Sequence, residues 1–218
     1  MVTFEVATTI VADQASAFSQ TCVPGRMLAV LADPKLYDDL AVLRDTSEIA
    51  SINSNEHFIL AVPAEGLPEL EAVFRARSIP AHALPVGYAF HSRWIDPARA
   101  RLTDMCPFAG MLPRKPIWSS RTAAPIVLGT SGLLFRVARD PMRLGETFQA
   151  VERTGGAQYI DLSPTGTFAA LSRQTPLDRS VAIPTLSPFR KSGSPLDAAL
   201  TLAKPRAVSS FPRAASNS

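Results

Sequence analysis

The chain has 218 residues, of which 46% are hydrophobic and 19% charged, so it can form one good-sized domain or two small ones around a packed core. Its formal net charge is only +3 and its basic residues are scattered, which excludes the basic block typical of proteins that bind nucleic acid. No apolar run reaches the length of a membrane span, and the N-terminus does not resemble a signal peptide. We therefore expect a cytoplasmic protein without membrane contact.

The first elements are a helix, a strand and a second helix. Small and apolar residues over 5–20 predict the first helix, which ends at Cys22-Val23-Pro24-Gly25. The short apolar run 27–31 has the length of a buried strand. Asp33-Pro34 then supplies an N-cap and a first helical residue for the second helix. We expect this helix to bury Leu36, Leu40 and Leu43.

Two strands, a helix and another strand follow. Strands are predicted at 49–53 and 57–62, joined through Asn53-Ser54-Asn55, a cluster that favours turns. Residues 66–77 place their apolar side chains on one helical face, and 81–86 form the next strand. The order βαββαβ across residues 26–87 is that of a ferredoxin-like unit.

Proline caps organise the rest of the chain. Asp96-Pro97 and Asp140-Pro141 each pair an N-capping residue with a proline, so a helix is predicted to start at each, and Gly155-Gly156 closes the second. Residues 191–218 have the composition of a flexible tail. Between them we expect a strand at 158–162, a turn at 163–166, a short helix at 167–173 and a strand at 181–186.

One of the three histidines stands where an enzyme would place a general base. His57 and His82 fall in or beside predicted strands, where a structural role is the usual explanation. His91 follows a strand and Gly87, which permits close approach of the backbone, and it precedes the Asp96-Pro97 cap. An imidazole with the ordinary pKa of about 6.5 can accept a proton at neutral pH from a group within reach. Spacing alone leaves a structural and a catalytic role for His91 equally open.

Five segments resemble malonyl-CoA:acyl-carrier-protein transacylases, a family that includes the acyltransferase domains of polyketide synthases. They occur in the family's order and are GRMLAV at 25–30, Ala50 to Asn53, LPVGYAFHSRWIDP at 84–97, RDPMR at 139–143 and YIDLSPTG at 159–166. The resemblance implies an α/β fold. Residues 1–25 and 88–190 would form part of an α/β-hydrolase-like acyltransferase core, and 26–87 the inserted ferredoxin-like subdomain.

The resemblance also implies an acyltransferase of polyketide or fatty-acid biosynthesis. In such enzymes a serine on a G-x-S-x-G turn takes an acyl group from coenzyme A and passes it to an acyl carrier protein, with a histidine as base. His91 matches that base, and Tyr88 and Phe90 match positions that bind substrate. The expected partners are acyl-CoA, the acyl carrier protein and other polyketide synthase subunits. No cofactor is expected, and Cys22 and Cys106 lack the spacing of metal ligands.

The serine itself is not where the resemblance requires it. Glu5-Val6-Ala7 fits the end of the serine motif, which puts Val2 at the position of the nucleophile. A truncated or mis-started product, a decayed paralogue and a split enzyme completed by another chain are three explanations. Thr3 and Ser92 are not expected to replace the serine, because Ser92 adjoins His91 and neighbouring side chains on an extended segment point to opposite faces. For a chain lacking part of its core, we expect exposed apolar faces on the helices around 95–112 and 141–154.

Two further positions depart from the family. Gln14 aligns with an arginine that pairs with the malonyl carboxylate in malonyl-type members, and a neutral amide cannot neutralise that charge. Gln14 therefore favours hydrolysis of acyl groups from carrier proteins as an alternative function, unless it is simply a solvated helix residue. A non-catalytic remnant that still binds a carrier protein is the other alternative. Val137 stands where many members have Asn or His.

Overall fold

The computed structural model describes residues 3–105, 116–161, 166–172, 174–175 and 177–183. Within these ranges helices and strands alternate along the chain, and the predicted α/β class is confirmed. None of the helices in the described part of the chain has the length and apolarity that a transmembrane segment requires.

The first half of the chain contains a long helix and then the βαββαβ unit. Its elements are α1 (Phe4–Thr21), β1 (Gly25–Val30), α2 (Leu36–Asp39), α3 (Ala41–Thr46), β2 (Glu48–Ser54), β3 (His57–Pro63), α4 (Leu67–Ala76) and β4 (Ala81–Ala83), with a 3₁₀ turn at Ala64–Gly66.

The second half consists of shorter elements. They are a 3₁₀ helix (Arg93–Ala98), α5 (Arg99–Thr103), β5 (Ile117–Ser119), β6 (Ala124–Ile126), α6 (Leu133–Arg139), β7 (Met142–Arg143), α7 (Leu144–Arg153), β8 (Gln158–Ile160), α8 (Thr167–Ser172) and β9 (Val181–Ile183).

The main sheet has five strands in the order β4-β1-β3-β2-β7. The first four pair antiparallel, with Gly25 opposite Pro63 and Leu28 opposite Ala83. This order is the ferredoxin-like arrangement that the βαββαβ pattern predicts. The fifth strand, β7, comes from outside residues 26–87 and pairs parallel to β2. The division into an acyltransferase core and an inserted subdomain with these boundaries remains a prediction.

Both faces of the sheet are covered, which explains why β1 is a continuous apolar run. Helices α3 and α4 cover one face and bury Leu28, Leu60 and Phe74 against it. On the other face Met27 and Ala89 belong to a second buried cluster, which the segment after β4 supplies in part. Burying each large apolar side chain stabilises the fold by about 1.5–3 kcal/mol.

The second half of the chain packs around two aromatic centres. The C-terminal half of α1 buries Phe18 against the 3₁₀ helix, α5 and α6, where Phe135 is also buried. Helix α7 places Phe148 edge-on to Tyr159 and Phe168, with ring centroids 5.2 and 5.0 Å away.

The prediction of exposed apolar faces is wrong for the described parts of the two helical regions. Leu102 is fully buried on α5, and Phe148 is only 2% exposed on α7. Residues 106–112 lie outside the described ranges. Exposed apolar side chains occur instead on the N-terminal half of α1, where Phe4 is 79% exposed and Val11 is 64% exposed.

The prediction that Asp96 and Asp140 each cap the start of a helix is wrong. Asp96 lies inside the 3₁₀ helix and does not cap a helix, because its carboxylate pairs with Arg99 and Arg139. Asp140 ends α6 and does not start the next helix, which begins at Leu144 after the two residues of β7. In both cases the charged partners and the sheet edge outweigh the local capping preference.

Other boundaries shift for local reasons. The helix predicted after Asp33-Pro34 divides in two because Leu40 adopts an extended backbone conformation, and of its predicted stripe only Leu43 is fully buried. The strand predicted at 81–86 is three residues long. Of those predicted at 158–162 and 181–186, β8 and β9 cover the first three residues, while 162 and 184–186 lie outside the described ranges. Gly155 and Gly156 end α7 with positive φ, as predicted. Val2, Cys106, the turn residues 163–165 and the tail 191–218 lie outside the described residues.

Candidate active site

His91 lies on a tight turn between β4 and the 3₁₀ helix. Its φ of 61° is in the left-handed region, which costs a non-glycine residue about 1–2 kcal/mol. The turn is held against the start of β1, where the Gly25 amide donates to the Gly87 carbonyl at 2.9 Å. A Cβ at Gly25 would lie 2.7 Å from the Cβ of Ala89, so only glycine allows this approach. The backbone does approach Gly87 through this hydrogen bond, but the approach does not require glycine at this position, because a Cβ there would meet no atom within 4 Å.

The end of α6 binds both the backbone and the ring of His91. The His91 amide donates to the Ala138 carbonyl at 2.8 Å, and Nδ1 lies 2.9 Å from the Asp140 carbonyl oxygen. A carbonyl can only accept, so Nδ1 carries the proton and Nε2 of the neutral ring is the basic nitrogen. No hydrogen bond joins Nε2 to another group in the described ranges.

The environment of His91 favours the neutral imidazole. Burial lowers its pKa below the ordinary value, and this effect exceeds the opposing contributions of the Asp140 carbonyl and carboxylate. At neutral pH the ring is therefore unprotonated at Nε2, which is the form that a general base requires.

Two hydroxyl groups considered as replacement nucleophiles are engaged elsewhere. Ser92 is fully buried and donates to the Ala89 carbonyl at 2.5 Å. The argument that the two side chains point to opposite faces does not apply, since the left-handed φ of His91 shows that its backbone is not extended. Thr3 caps α1 by accepting from the Val6 amide at 3.3 Å.

Three aromatic rings join α1 to the His91 turn. Phe18 lies 5.1 Å from Phe90 and 6.1 Å from Tyr88, measured between ring centroids. Tyr88 and Phe90 are half-buried in this cluster, and Gln14 is half-buried one turn earlier on α1. The structure thus packs Tyr88 and Phe90 next to His91, while a substrate-binding role for these two residues and for Gln14 remains a prediction.

The residue whose carbonyl binds the His91 ring, Asp140, also forms an ion pair that the sequence does not predict. Arg121, in the turn between β5 and β6, lies 3.2 Å from the carboxylate of Asp140. In the same turn, the Ser120 carbonyl accepts a hydrogen bond from the Arg143 amide at 2.7 Å. Spacing could not indicate this pair, because it depends on how the β5–β6 hairpin folds back onto the end of α6.

A second set of charged contacts fixes the segment after His91. The Glu48 carboxylate of β2 accepts from both the backbone and the guanidinium of Arg93, at 2.9 and 3.0 Å. Asp96 pairs with Arg139 of α6 at 3.0 Å. Val137, on α6, is 50% exposed.

Two cavities lie among the residues that the structure describes. A cavity of about 400 Å³ lies beside the Arg121–Asp140 pair, and a larger one of about 1010 Å³ lies beside the β2–β3 turn; Ile52 lines both. His91 lines neither of these two cavities. No group of three or more metal-ligating side chains occurs among the residues that the structure describes.

Comparison with known sequences gives several relatives, although no family model matches the chain. The polyketide biosynthesis acyltransferase homolog BaeD of Bacillus velezensis is 33% identical over 171 residues, which are 75% of this chain and 51% of BaeD. The homolog PksD of Bacillus subtilis is 32% identical over 163 residues, 74% of this chain and 50% of PksD. The polyketide biosynthesis protein ThaF of Burkholderia thailandensis is 36% identical over 177 residues, 77% of this chain and 15% of ThaF.

Solved acyltransferase structures share the fold. The acyltransferase domain from module 8 of the salinomycin polyketide synthase matches with a TM-score of 0.73 and 20% identity, covering 89% of this chain and 48% of that one. The loading acyltransferase of the avermectin synthase gives 0.77 and 17%, covering 90% and 64%. The malonyl-CoA:acyl-carrier-protein transacylase of Burkholderia pseudomallei gives 0.66 and 26%, covering 80% and 65%.

The fold is therefore that of the acyltransferases, with a ferredoxin-like sheet beside a turn that carries a histidine. The chain is homologous to BaeD and PksD, and the resemblance inferred from its five sequence segments is confirmed. It spans about half the length of BaeD and PksD.

Proposed function

We propose that this chain serves acyl transfer in polyketide or fatty-acid biosynthesis, moving an acyl group from acyl-CoA to the thiol of an acyl carrier protein with His91 as general base. The geometry of His91 is the observation that carries the proposal. Its Nδ1 proton is bound by the Asp140 carbonyl, and burial keeps the ring neutral. The relatedness to BaeD and PksD supports the same class of reaction.

The proposed chemistry uses Nε2 of His91 twice. In the first half-reaction Nε2 takes the proton of a nucleophilic hydroxyl while the oxygen attacks the thioester carbonyl, and the proton then passes to the departing coenzyme A thiolate. In the second half-reaction the carrier protein's thiol gives its proton to Nε2 while its sulfur attacks the acyl-enzyme ester; the ester C–O bond breaks, and Nε2 returns the proton to the departing oxygen, which restores the hydroxyl and leaves the acyl group as a thioester on the carrier protein. Neither Ser92, which donates to the Ala89 carbonyl, nor Thr3, which caps α1, is assigned as the nucleophile of this scheme.

Hydrolysis of acyl groups is the second candidate. It would use the same base, with water in place of the carrier protein's thiol in the second half-reaction. The observation that favours it is Gln14, a neutral side chain half-buried on the helix that packs against the His91 turn. A carboxylated acyl group such as malonyl would find no neutralising charge at this position.

The test uses the full chain with malonyl-CoA or acetyl-CoA and a carrier protein bearing phosphopantetheine. Intact mass of the carrier protein measures transfer, and free acid released from acyl carrier protein measures hydrolysis. His91→Gln should lower the rate by about 10²–10⁴-fold, the usual contribution of a general base. The matched control is His82→Gln on the exposed edge of β4, which should leave the rate unchanged. Absence of both products from the unmodified chain, or equal rates in the His91→Gln variant, would overturn the proposal.

A further inference from the structure

We propose that Arg121 is a positioning residue for His91: by pairing with the Asp140 carboxylate, it holds the Asp140 carbonyl against Nδ1. The inference rests on the proposed function only in taking His91 as the base. The contacts themselves form one continuous path, from the Arg121 guanidinium to Asp140 at 3.2 Å and from Asp140 to the imidazole at 2.9 Å.

The direction of the Asp140 carbonyl has few other restraints. The peptide bond after Asp140 leads to Pro141, which has no N–H, so no hydrogen bond can anchor that peptide from its other side. Proline does confine the preceding residue to extended conformations, and Asp140 has a ψ of 144°. That range of ψ is broad, so a further contact is needed to select one carbonyl direction within it.

Arg121 is placed to make that selection. The turn that carries it bonds the Asp140–Arg143 segment at two points, through Arg121 to the side chain of Asp140 and through the Ser120 carbonyl to the amide of Arg143. Arg121 and Asp140 are 29% and 33% exposed at their side chains, so water competes with their ion pair less than it does at a fully exposed site. The β5–β6 hairpin therefore restrains the segment that follows α6 through these two contacts.

The charge of Arg121 also keeps the carboxylate away from the ring. Asp140 has two acceptors that could bind the Nδ1 proton of His91, its backbone carbonyl and its side chain. Pairing with Arg121 occupies the carboxylate and leaves the carbonyl as the partner of Nδ1. Without Arg121 the carboxylate loses this partner, and the Asp140 carbonyl is no longer held against Nδ1.

The test measures the Nδ1–H···O bond directly by NMR on the full chain labelled with ¹⁵N-histidine. The exchange rate of the His91 Nδ1 proton with water is the readout, and the loss of its signal in His91→Gln assigns it. Arg121→Gln should speed exchange by about tenfold, the equivalent of one ordinary hydrogen bond. Arg121→Lys, which keeps the charge, should stay close to the unmodified protein.

Arg143→Gln is the matched control, because it removes an arginine from the same segment whose partner is the exposed Glu146. Exchange at His91 should be unchanged in this variant. If Arg121 has only a structural role, Arg121→Gln will lower the unfolding midpoint without changing the exchange rate of the His91 Nδ1 proton. An exchange rate in folded Arg121→Gln equal to that of the unmodified protein therefore overturns the inference. An unmodified protein whose proton resides on Nε2 contradicts the base role under the proposed function instead, so the two failures are distinguishable.

Discussion

Nδ1 of His91 lies 2.9 Å from the backbone carbonyl of Asp140, a residue 49 positions later in the chain. At the same end of α6, the Ala138 carbonyl accepts a hydrogen bond from the His91 amide. Helix α6 thus holds the backbone and the ring of the histidine together, and its orientation determines where Nε2 points. Any change that moves α6 relative to β1 should therefore affect the base before it affects the ferredoxin-like sheet.

The stability of the fold should fall as the pH is lowered through the ordinary histidine pKa of about 6.5. Burial lowers the folded-state pKa of both His91 and His57 below that value, so the unfolded chain binds more protons in this window. Stability from these groups is complete above the unfolded pKa and is lost as the pH falls toward the folded values. Chemical denaturation between pH 7.5 and pH 5 would measure the loss. His91→Gln and His57→Gln should each reduce it; a pH dependence in both variants equal to that of the unmodified protein would contradict this account.

Gly25→Ala should destabilise the protein by about 1–3 kcal/mol, the usual cost of overpacking. The new methyl group would lie 2.7 Å from the Cβ of Ala89, and backbone atoms of the same residue block its escape. Gly87→Ala is the control from the same turn, because a Cβ there meets open space and its φ is not positive. Urea denaturation of both variants checks the prediction, which fails if the two substitutions have equal effects.

The sequence could predict the elements that local patterns determine. The order βαββαβ follows from apolar runs and turn residues between 26 and 87, and the sheet has the strand order that this pattern indicates. His91 was identified from its turn and from family resemblance. Local patterns could not predict which residues contact His91 and its neighbours in the fold. Asp96 and Asp140 each precede proline and were read as caps, while in the fold they bind arginines distant in sequence.

Glycine shows the same limit at the site itself. Nearness to His91 in sequence points to Gly87, but Gly25, at the start of β1, is the glycine that has no room for a side chain. The partner of a close contact depends on strand pairing, which composition does not specify. For the same reason Arg121 has no signature in the sequence, since its role depends on the fold of the β5–β6 hairpin.

Phe18→Ala should destabilise the protein by about 3–5 kcal/mol, the typical cost of removing a buried aromatic ring. Phe18 is 6% exposed and contacts both Tyr88 and Phe90, so its loss would also free α1 from the His91 turn. Phe4→Ala on the same helix is the control, because Phe4 is 79% exposed and should change stability by less than about 0.5 kcal/mol. Thermal or urea unfolding measures both; similar small effects would show that α1 does not depend on the aromatic cluster.

Ser92→Ala should lower stability while leaving the chemistry of His91 intact. The fully buried hydroxyl donates to the Ala89 carbonyl at 2.5 Å, and removing it leaves a buried acceptor unpaired at a cost of about 1–3 kcal/mol. Ser92→Thr keeps the hydroxyl but adds a methyl group to a site with no exposed surface, so it should be destabilising through crowding instead. Unfolding free energies and the acyl-transfer rate would be measured side by side at a temperature where all variants are folded. A transfer rate in Ser92→Ala that falls as far as in His91→Gln would mean that Ser92 takes part in the reaction, and the assignment of its hydroxyl to the Ala89 carbonyl would have to be abandoned.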